Sequence, residues 1–221
     1  MGIATDTMLQ KILNEINSMG VMVSYSKAQQ CPCFDPRRSE GDANCPVCKG
    51  LFYQWESTPS FTVKALITNR DSNRQLTETG AWETGIVSAT LPPQIIPADF
   101  DKVTIVNDVV AVNNEVLRVG ATYSNGNSRE VLRFRTVTQV ESLQIINNGV
   151  IQTLVQGADY TVNGNKIAWV NSPATGTLYS VRYLAVPEFL VFKNQPHLRR
   201  NDNVKFPYFV KLQRLDVKGA Q

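Results

Sequence analysis

The stretch LQIINNGVIQTLVQGADYTVNGNKIAWVNSPATGTLYSVRYLA, residues 143–185, decides the fold class. It breaks into short apolar runs: LQII (143–146), VIQTLV (150–155), DYTV (159–162), KIAWV (166–170) and TLYSVRYLA (177–185). Between them lie Asn147-Asn148-Gly149, Asn163-Gly164-Asn165 and Ser172-Pro173-Ala174-Thr175-Gly176. Asn and Gly tolerate the positive φ that tight hairpin turns demand. Strands this short, at this spacing, predict a small sandwich or barrel. Pro187 ends the group.

Upstream, Phe61, Val63, Ala65 and Ile67 alternate with Thr62, Lys64 and Thr68, the period of a strand with one face inward. The runs GIVSATL (85–91), KVTIV (102–106), VVAV (109–112), EVLRV (115–119) and EVLRFRTV (130–137) read as further strands, with Asn113-Asn114 as a hairpin turn. At the N-terminus Met8, Leu9, Ile12, Leu13, Ile16 and Met19 recur at helical spacing. Thr7 and Gln10 form a capping-box pattern and Gly20 suits a C-terminal cap, so one amphipathic helix is predicted over about 7–19. Downstream, VKFPYFVKLQRLDV (204–217) alternates Phe206, Tyr208, Val210 and Leu212.

That last strand has no natural place in the 143–186 meander, so we read it as returning to an earlier barrel. The fold expected is mainly β with an N-terminal helix: a β-barrel body, an inserted small β-domain and a four-cysteine zinc knuckle. The corresponding segments are 1–28 (helix and lead strand), 29–50 (knuckle), 51–142 (barrel), 143–186 (inserted domain) and 187–221 (return segment completing the barrel).

The knuckle is QQCPCFDPRRSEGDANCPVCKG, and it holds all four cysteines: Cys31, Cys33, Cys45 and Cys48. A C-x-x-C turn puts two sulfurs on one side of a metal, and the tighter C-P-C pair supplies the opposite edge. Four thiolates at about 2.3 Å satisfy tetrahedral zinc. Pro32 and Pro46 stiffen the turns, Gly50 allows a sharp exit, and Arg37, Arg38 and Lys49 offset thiolate charge. Competing readings are two disulfides, a Cys45–Cys48 redox pair, or iron in place of zinc. Against disulfides stands the expected compartment. MGIATDTMLQ lacks a basic start followed by an apolar block, and Asp6 stands where a myristoylation signal wants Ser or Thr, so a reducing cytosol is expected. A closed four-cysteine site leaves no open coordination position and points to structure.

With 221 residues the chain is long enough to bury a core without covalent staples, so a metal would organise only its own segment. Net charge is +3, too small to imply nucleic-acid binding by itself. No run reaches the ~18 apolar residues of a bilayer span, so no membrane partner is expected. Charge is uneven, however. From Arg182 onward there are eight basic and three acidic residues, whereas residues 1–110 carry nine basic and twelve acidic. A net −3 around the knuckle suits a phosphate-binding zinc module poorly.

Catalytic patterns are lacking. His197 is the sole histidine, and no nucleophile elbow, phosphate-binding glycine loop or zinc-protease helix motif occurs. Trp55, Trp82 and Trp169, with Tyr160, Tyr179 and Tyr183, offer a stacking face for sugar or base. On strands such aromatics serve more often as core. No enzymatic activity is expected.

Three stretches carry a resemblance: CPCFDPRR…CPVCKG after the helix, GADYTVNGNKIAWVNSPATGTLYSVRYLAVPEFLV (157–191), and QPHLRRNDNVKFPYFVKLQRLD (195–216). In these the chain resembles structural proteins of tailed bacteriophages, in particular neck or head-to-tail connector components. The resemblance implies a virion protein made in the host cytoplasm. It would form a ring of identical copies with a β-barrel body, bound to portal or adaptor on one side and tail on the other, and touching passing DNA non-specifically. It transfers no catalytic residues; by motif it carries over only the four cysteines. The alternative is a zinc-ribbon nucleic-acid-binding protein. A carbohydrate-binding module or glycosidase is a weaker third, since no two acids pair in the sequence.

Overall fold

The computed structural model describes residues 2–35, 45, 47–48, 51–56, 58–68, 86–122, 130–147, 149–194, 200–201 and 204–215. Arg37, Arg38, Pro46, Lys49, Gly50, Trp82, Asn148 and His197, singled out above, lie outside those residues. The protein is mainly β with one helix at its N-terminus. No helix among the described residues is long and apolar enough to cross a membrane. The chain divides into two units, one taking the described residues up to Val106 and again from Glu188, the other taking Asn107–Pro187.

The first unit begins with α1 (Gly2–Met19). It starts five residues before the predicted helix, so Thr7 lies within it and is not the cap. Once Leu9 and Ile16 are buried, each extra turn costs little because propagation is easier than nucleation. The end is where Gly20 puts it. The Gly20 amide donates to the Ile16 carbonyl at 2.9 Å. A Cβ there would sit 2.2 Å from that oxygen and 3.2 Å from the Ala65 carbonyl.

The barrel strands of this unit are β1 (Val21–Ser26), β4 (Phe61–Thr68), β5 (Ile86–Leu91), β6 (Lys102–Ile105), β13 (Glu188–Asn194) and β16 (Tyr208–Arg214). They close in the order β1-β4-β5-β16-β13-β6, each pair antiparallel. Closure removes every free edge. The interior is filled at alternate positions: Val23 and Tyr25, Ala65, Ala89 and Leu91, Val103, Phe189 and Val191, Val210 and Leu212. The final strand β16 lies between β5 and β13, so the C-terminal segment does complete the barrel. Two short ribbons accompany it: β2 (Ala28–Gln30) with β3 (Tyr53–Trp55), and β14 (Arg200–Asn201) with β15 (Val204–Lys205).

The second unit contains β7 (Val110–Arg118), β8 (Val137–Asn147), β9 (Val150–Leu154), β10 (Tyr160–Asn163), β11 (Lys166–Trp169) and β12 (Leu178–Ala185). Four of them form a sheet ordered β7-β12-β8-β9, and β10 pairs with β11. Its core is Leu132, Phe134, Leu143, Tyr160, Tyr179, Val181 and Tyr183 with their neighbours.

Three expectations are corrected here. The inserted unit begins at Asn107, not at residue 143, because β7 pairs along its length with β12 and belongs to that sheet. Asn113-Asn114 is not a hairpin turn; it lies inside β7 at a register shift, where Glu115 faces Val181 and Val112 faces Tyr183. An extra residue absorbed as a bulge keeps the strand going. Finally, 130–136 is not a strand, and of the expected run only Val137 belongs to one, β8. Apart from an isolated bridge from Val131 to Lys166, these residues run irregularly until β8 begins. Their alternation is genuine, since Leu132 and Phe134 both enter the core, but the backbone bonds elsewhere. The Leu132 amide donates to Asn165 O at 2.7 Å and the Arg133 amide to Glu115 Oε1 at 2.8 Å.

Candidate metal centre

The knuckle is carried on the β2–β3 ribbon, in which Ala28 faces Trp55, Gln29 faces Gln54 and Gln30 faces Tyr53. The ladder runs one step further, with the Cys31 amide donating to the Phe52 carbonyl at 2.6 Å. Phe52 takes φ 68° as the chain re-enters the ribbon, and its ring meets Phe34 edge-on at 6.1 Å. A bulky residue at positive φ persists only when its surroundings over-determine it. Cys31 and Cys33 sit in one turn, closed by the Phe34 amide donating to Cys31 O at 3.0 Å, and beyond the second pair the Leu51 amide donates to Cys48 O at 3.1 Å.

All four sequence-predicted ligands come together. The sulfurs of Cys31, Cys33, Cys45 and Cys48 lie within 4.8 Å of one another. The closest approaches run between the two turns, Cys31 to Cys45 at 3.7 Å and Cys33 to Cys48 at 3.3 Å. A tetrahedron of sulfurs about 2.3 Å from a central ion has edges of about 3.8 Å, so the spacing fits such an ion. All four cysteines are free, and those separations far exceed a disulfide bond of about 2.05 Å. Cys31, Cys45 and Cys48 are buried and Cys33 partly so. Such a set of thiolates is able to hold a metal ion.

The electrostatics favour thiolate. The Cys45 thiol is drawn down to about 7, first by the Cys48 backbone amide and then by that of Val47, both donating to its sulfur. Amides at a C-x-x-C turn thus stabilise the charged form that metals bind.

Beneath the ribbon lies a buried carboxylate that nothing in the sequence marked. Asp101 is 1% exposed. Its Oδ2 accepts from the Tyr25 hydroxyl and, at 2.8 Å, from the Ala98 amide; its Oδ1 accepts from the Ala28 amide at 2.7 Å. Burial first, then that bond to Asp101, push the Tyr25 hydroxyl far above its ordinary range. Asp101 therefore ties barrel strand β1 to the first residue of the knuckle stem. Next to it, Phe100 stacks on Tyr53 with centroids 4.2 Å apart, and its carbonyl accepts from Trp55 Nε1 at 2.9 Å. The Lys102 ammonium lies 5.5 Å from the Trp55 ring and 3.4 Å from Glu188.

Of the aromatics considered for a stacking face, Tyr160, Tyr179 and Tyr183 are core residues of the inserted unit. Trp169 packs edge-on against Tyr179 at 5.2 Å and donates to Glu130 Oε1 at 2.8 Å. Glu130 and Glu115 serve as structural acceptors: Glu130 also receives the Gly120 amide at 2.9 Å, and Glu115 the Tyr183 hydroxyl at 2.6 Å. Several C-terminal cations are occupied as well. Arg182 contacts Glu141 at 2.6 Å and Lys211 contacts Ser88 at 3.0 Å. Neither a family model nor a curated protein matches the chain.

Proposed function

We propose that Cys31, Cys33, Cys45 and Cys48 hold one structural zinc ion, and that the chain is a non-enzymatic ring subunit in the neck of a tailed bacteriophage, between portal and tail. Cys31 and Cys33 on the first arm and Cys45 and Cys48 on the second would hold the ion, whose contribution is a cross-link. Four thiolates fill a tetrahedral shell and leave no position for substrate. The observation that carries the assembly reading is where the three resembling stretches fall. They supply the cysteine turns, the run from β10 into β13, and the strand β16 that closes the barrel. The resemblance thus reaches the cysteine turns, the inserted unit and the closing strand of the barrel, while barrel strands β1, β4, β5 and β6 lie outside it. The engaged carboxylates Asp101, Glu115 and Glu130 agree with a structural role.

The test is the mass of the assembly that contains the native protein, together with its metal content. A ring or virion-sized particle with one zinc per chain is expected. A monomer that retards duplex DNA would replace this reading with the nucleic-acid one.

A further inference from the structure

The sheet of the inserted unit has two edges, and they are built differently. The β7 edge carries the protections that keep sheet edges from pairing: the bulge at Asn113-Asn114, the charged Glu115 and Arg118, and a crossing segment whose Arg133 amide bonds Glu115. The β9 edge carries none. Residues 143–158 contain neither a charge nor a proline. The β8–β9 register runs without a bulge from Leu143↔Leu154 to Asn147↔Val150. Ile146, Val150, Ile151 and Val155 are 61–68% exposed. Among the described residues no strand pairs with the outer side of β9. An unbulged, uncharged, largely apolar edge of this kind is a template for another strand.

We infer that β9 pairs antiparallel with β9 of a second copy of this chain, about a two-fold axis at Gln152. The backbone selects that register. Asn147 and Val150 are the last ladder partners before the chain reverses, with Gly149 at φ 80°, so they form the closing hydrogen-bonded pair. Alternation then directs the amides and carbonyls of Val150, Gln152 and Leu154 toward β8, and those of Ile151 and Thr153 outward. An axis at Gln152 sets Ile151 opposite the second copy's Thr153 and the reverse, so all four outward residues exchange hydrogen bonds. An axis one residue earlier would call on Gly149, which is committed to the turn. Side chains agree. Val150 of one copy falls beside Leu154 of the other, extending the core over an exposed valine. Charge also singles out a second copy. A two-fold contact sets each central residue against itself, so any charge there would meet its like. This stretch has none.

The two-fold contact joins pairs and cannot by itself close a ring, so the inference is independent of the neck reading. Gln152 is exposed, and across the axis it would face its own copy at the close, non-hydrogen-bonded spacing of about 4.5 Å. Sedimentation of the purified full chain at micromolar concentration is expected to show reversible dimers. Gln152→Lys and Gln152→Glu should each weaken self-association about tenfold or more, since like charges oppose at close range. An equimolar mixture of the two variants should restore it, as a heterodimer identified by native mass. That recovery also shows that both variants fold. A monomeric wild-type chain, an oligomer indifferent to both charges, or a mixture that stays dissociated would each overturn the inference.

Discussion

Replacing Asp101 with asparagine removes one charge and exchanges one acceptor for a donor, at a site 1% exposed. Two donors converge on Oδ2, the Tyr25 hydroxyl and the Ala98 amide, and one on Oδ1, the Ala28 amide. An asparagine oxygen can satisfy only one side. With the oxygen on the Tyr25 and Ala98 side, the new NH2 faces the Ala28 N–H and that amide is orphaned. Flipped, it strands the Ala98 amide. An orphaned buried donor costs about 1–3 kcal/mol, and hydrogen bonds lose strength when their acceptor loses its charge. The sum is about 3–5 kcal/mol, a large share of the ~5–15 kcal/mol that holds a domain. Hydrogen exchange read by peptide is the assay. Protection should fall in β1 and β6 of the barrel, and the Ala28 end of the knuckle stem should open. Strands β8 and β12, in the other unit, should keep theirs. The companion Tyr25→Phe deletes one donor and leaves Asp101 two, so it should cost less, about 1–2 kcal/mol. The two changes should be non-additive because they share a network. A loss under about 1 kcal/mol for Asp101→Asn, or equal losses in both units, would refute the reasoning.

Other consequences follow from the same structure. Cys48→Ser should abolish stoichiometric metal by elemental analysis and open the knuckle to protease while leaving the main thermal transition in place, because the cysteine cluster shares no residue with the barrel core. Tyr25, Tyr179 and Tyr183 all have hydroxyls pushed upward, by burial first, so the folded chain keeps protons that the unfolded chain releases above about pH 10. Stability is therefore whole below that pH and falls above it by about 1.4 kcal/mol per pH unit for each tyrosine, measurable by urea titration between neutral and strongly alkaline buffer. Gly20→Ala should destabilise the first unit by about 1–3 kcal/mol in chemical denaturation, since its Cβ would lie 2.2 Å from the Ile16 carbonyl oxygen and both helix end and β4 would have to shift.

Much of the architecture could be read because its signals are local. The alternation of Val63, Ala65 and Ile67, or of Val210 and Leu212, is the barrel's inward face, and in each case a strand forms where the period is two. The cysteine cluster was legible for a similar reason: two turn motifs in one loop bring four sulfurs together once that loop closes, whatever the rest of the chain does. What could not be read was long-range. Nothing in VAVNNEVLR states that its partner lies at 178–185 and not in the strands before it, so the sequence pattern puts the unit boundary 36 residues late, at 143 against 107. A bulge and a turn use the same residues, and Asn113-Asn114 carries no mark to separate them. Asp101 was invisible altogether, because a carboxylate in the run ADFDK looks like surface until Tyr25 and Ala28, more than seventy residues earlier, close on it.

The segment 130–137 shows why the line falls there. Period two reports that a chain is extended and half buried, and that much is true of Leu132 and Phe134. Whether an extended chain joins a ladder depends on where its amides go, and here Leu132 N–H goes to Asn165 and Arg133 N–H to the Glu115 side chain. A glutamate side chain has taken the place of a strand. The same bond ties this irregular segment to the Glu115 side chain of β7, and with the bulge at Asn113-Asn114 it sets that edge apart from β9. An interaction that hid a loop from the sequence pattern thus marks one edge of the inserted unit, while the other, Val150–Leu154, is free to take a second chain.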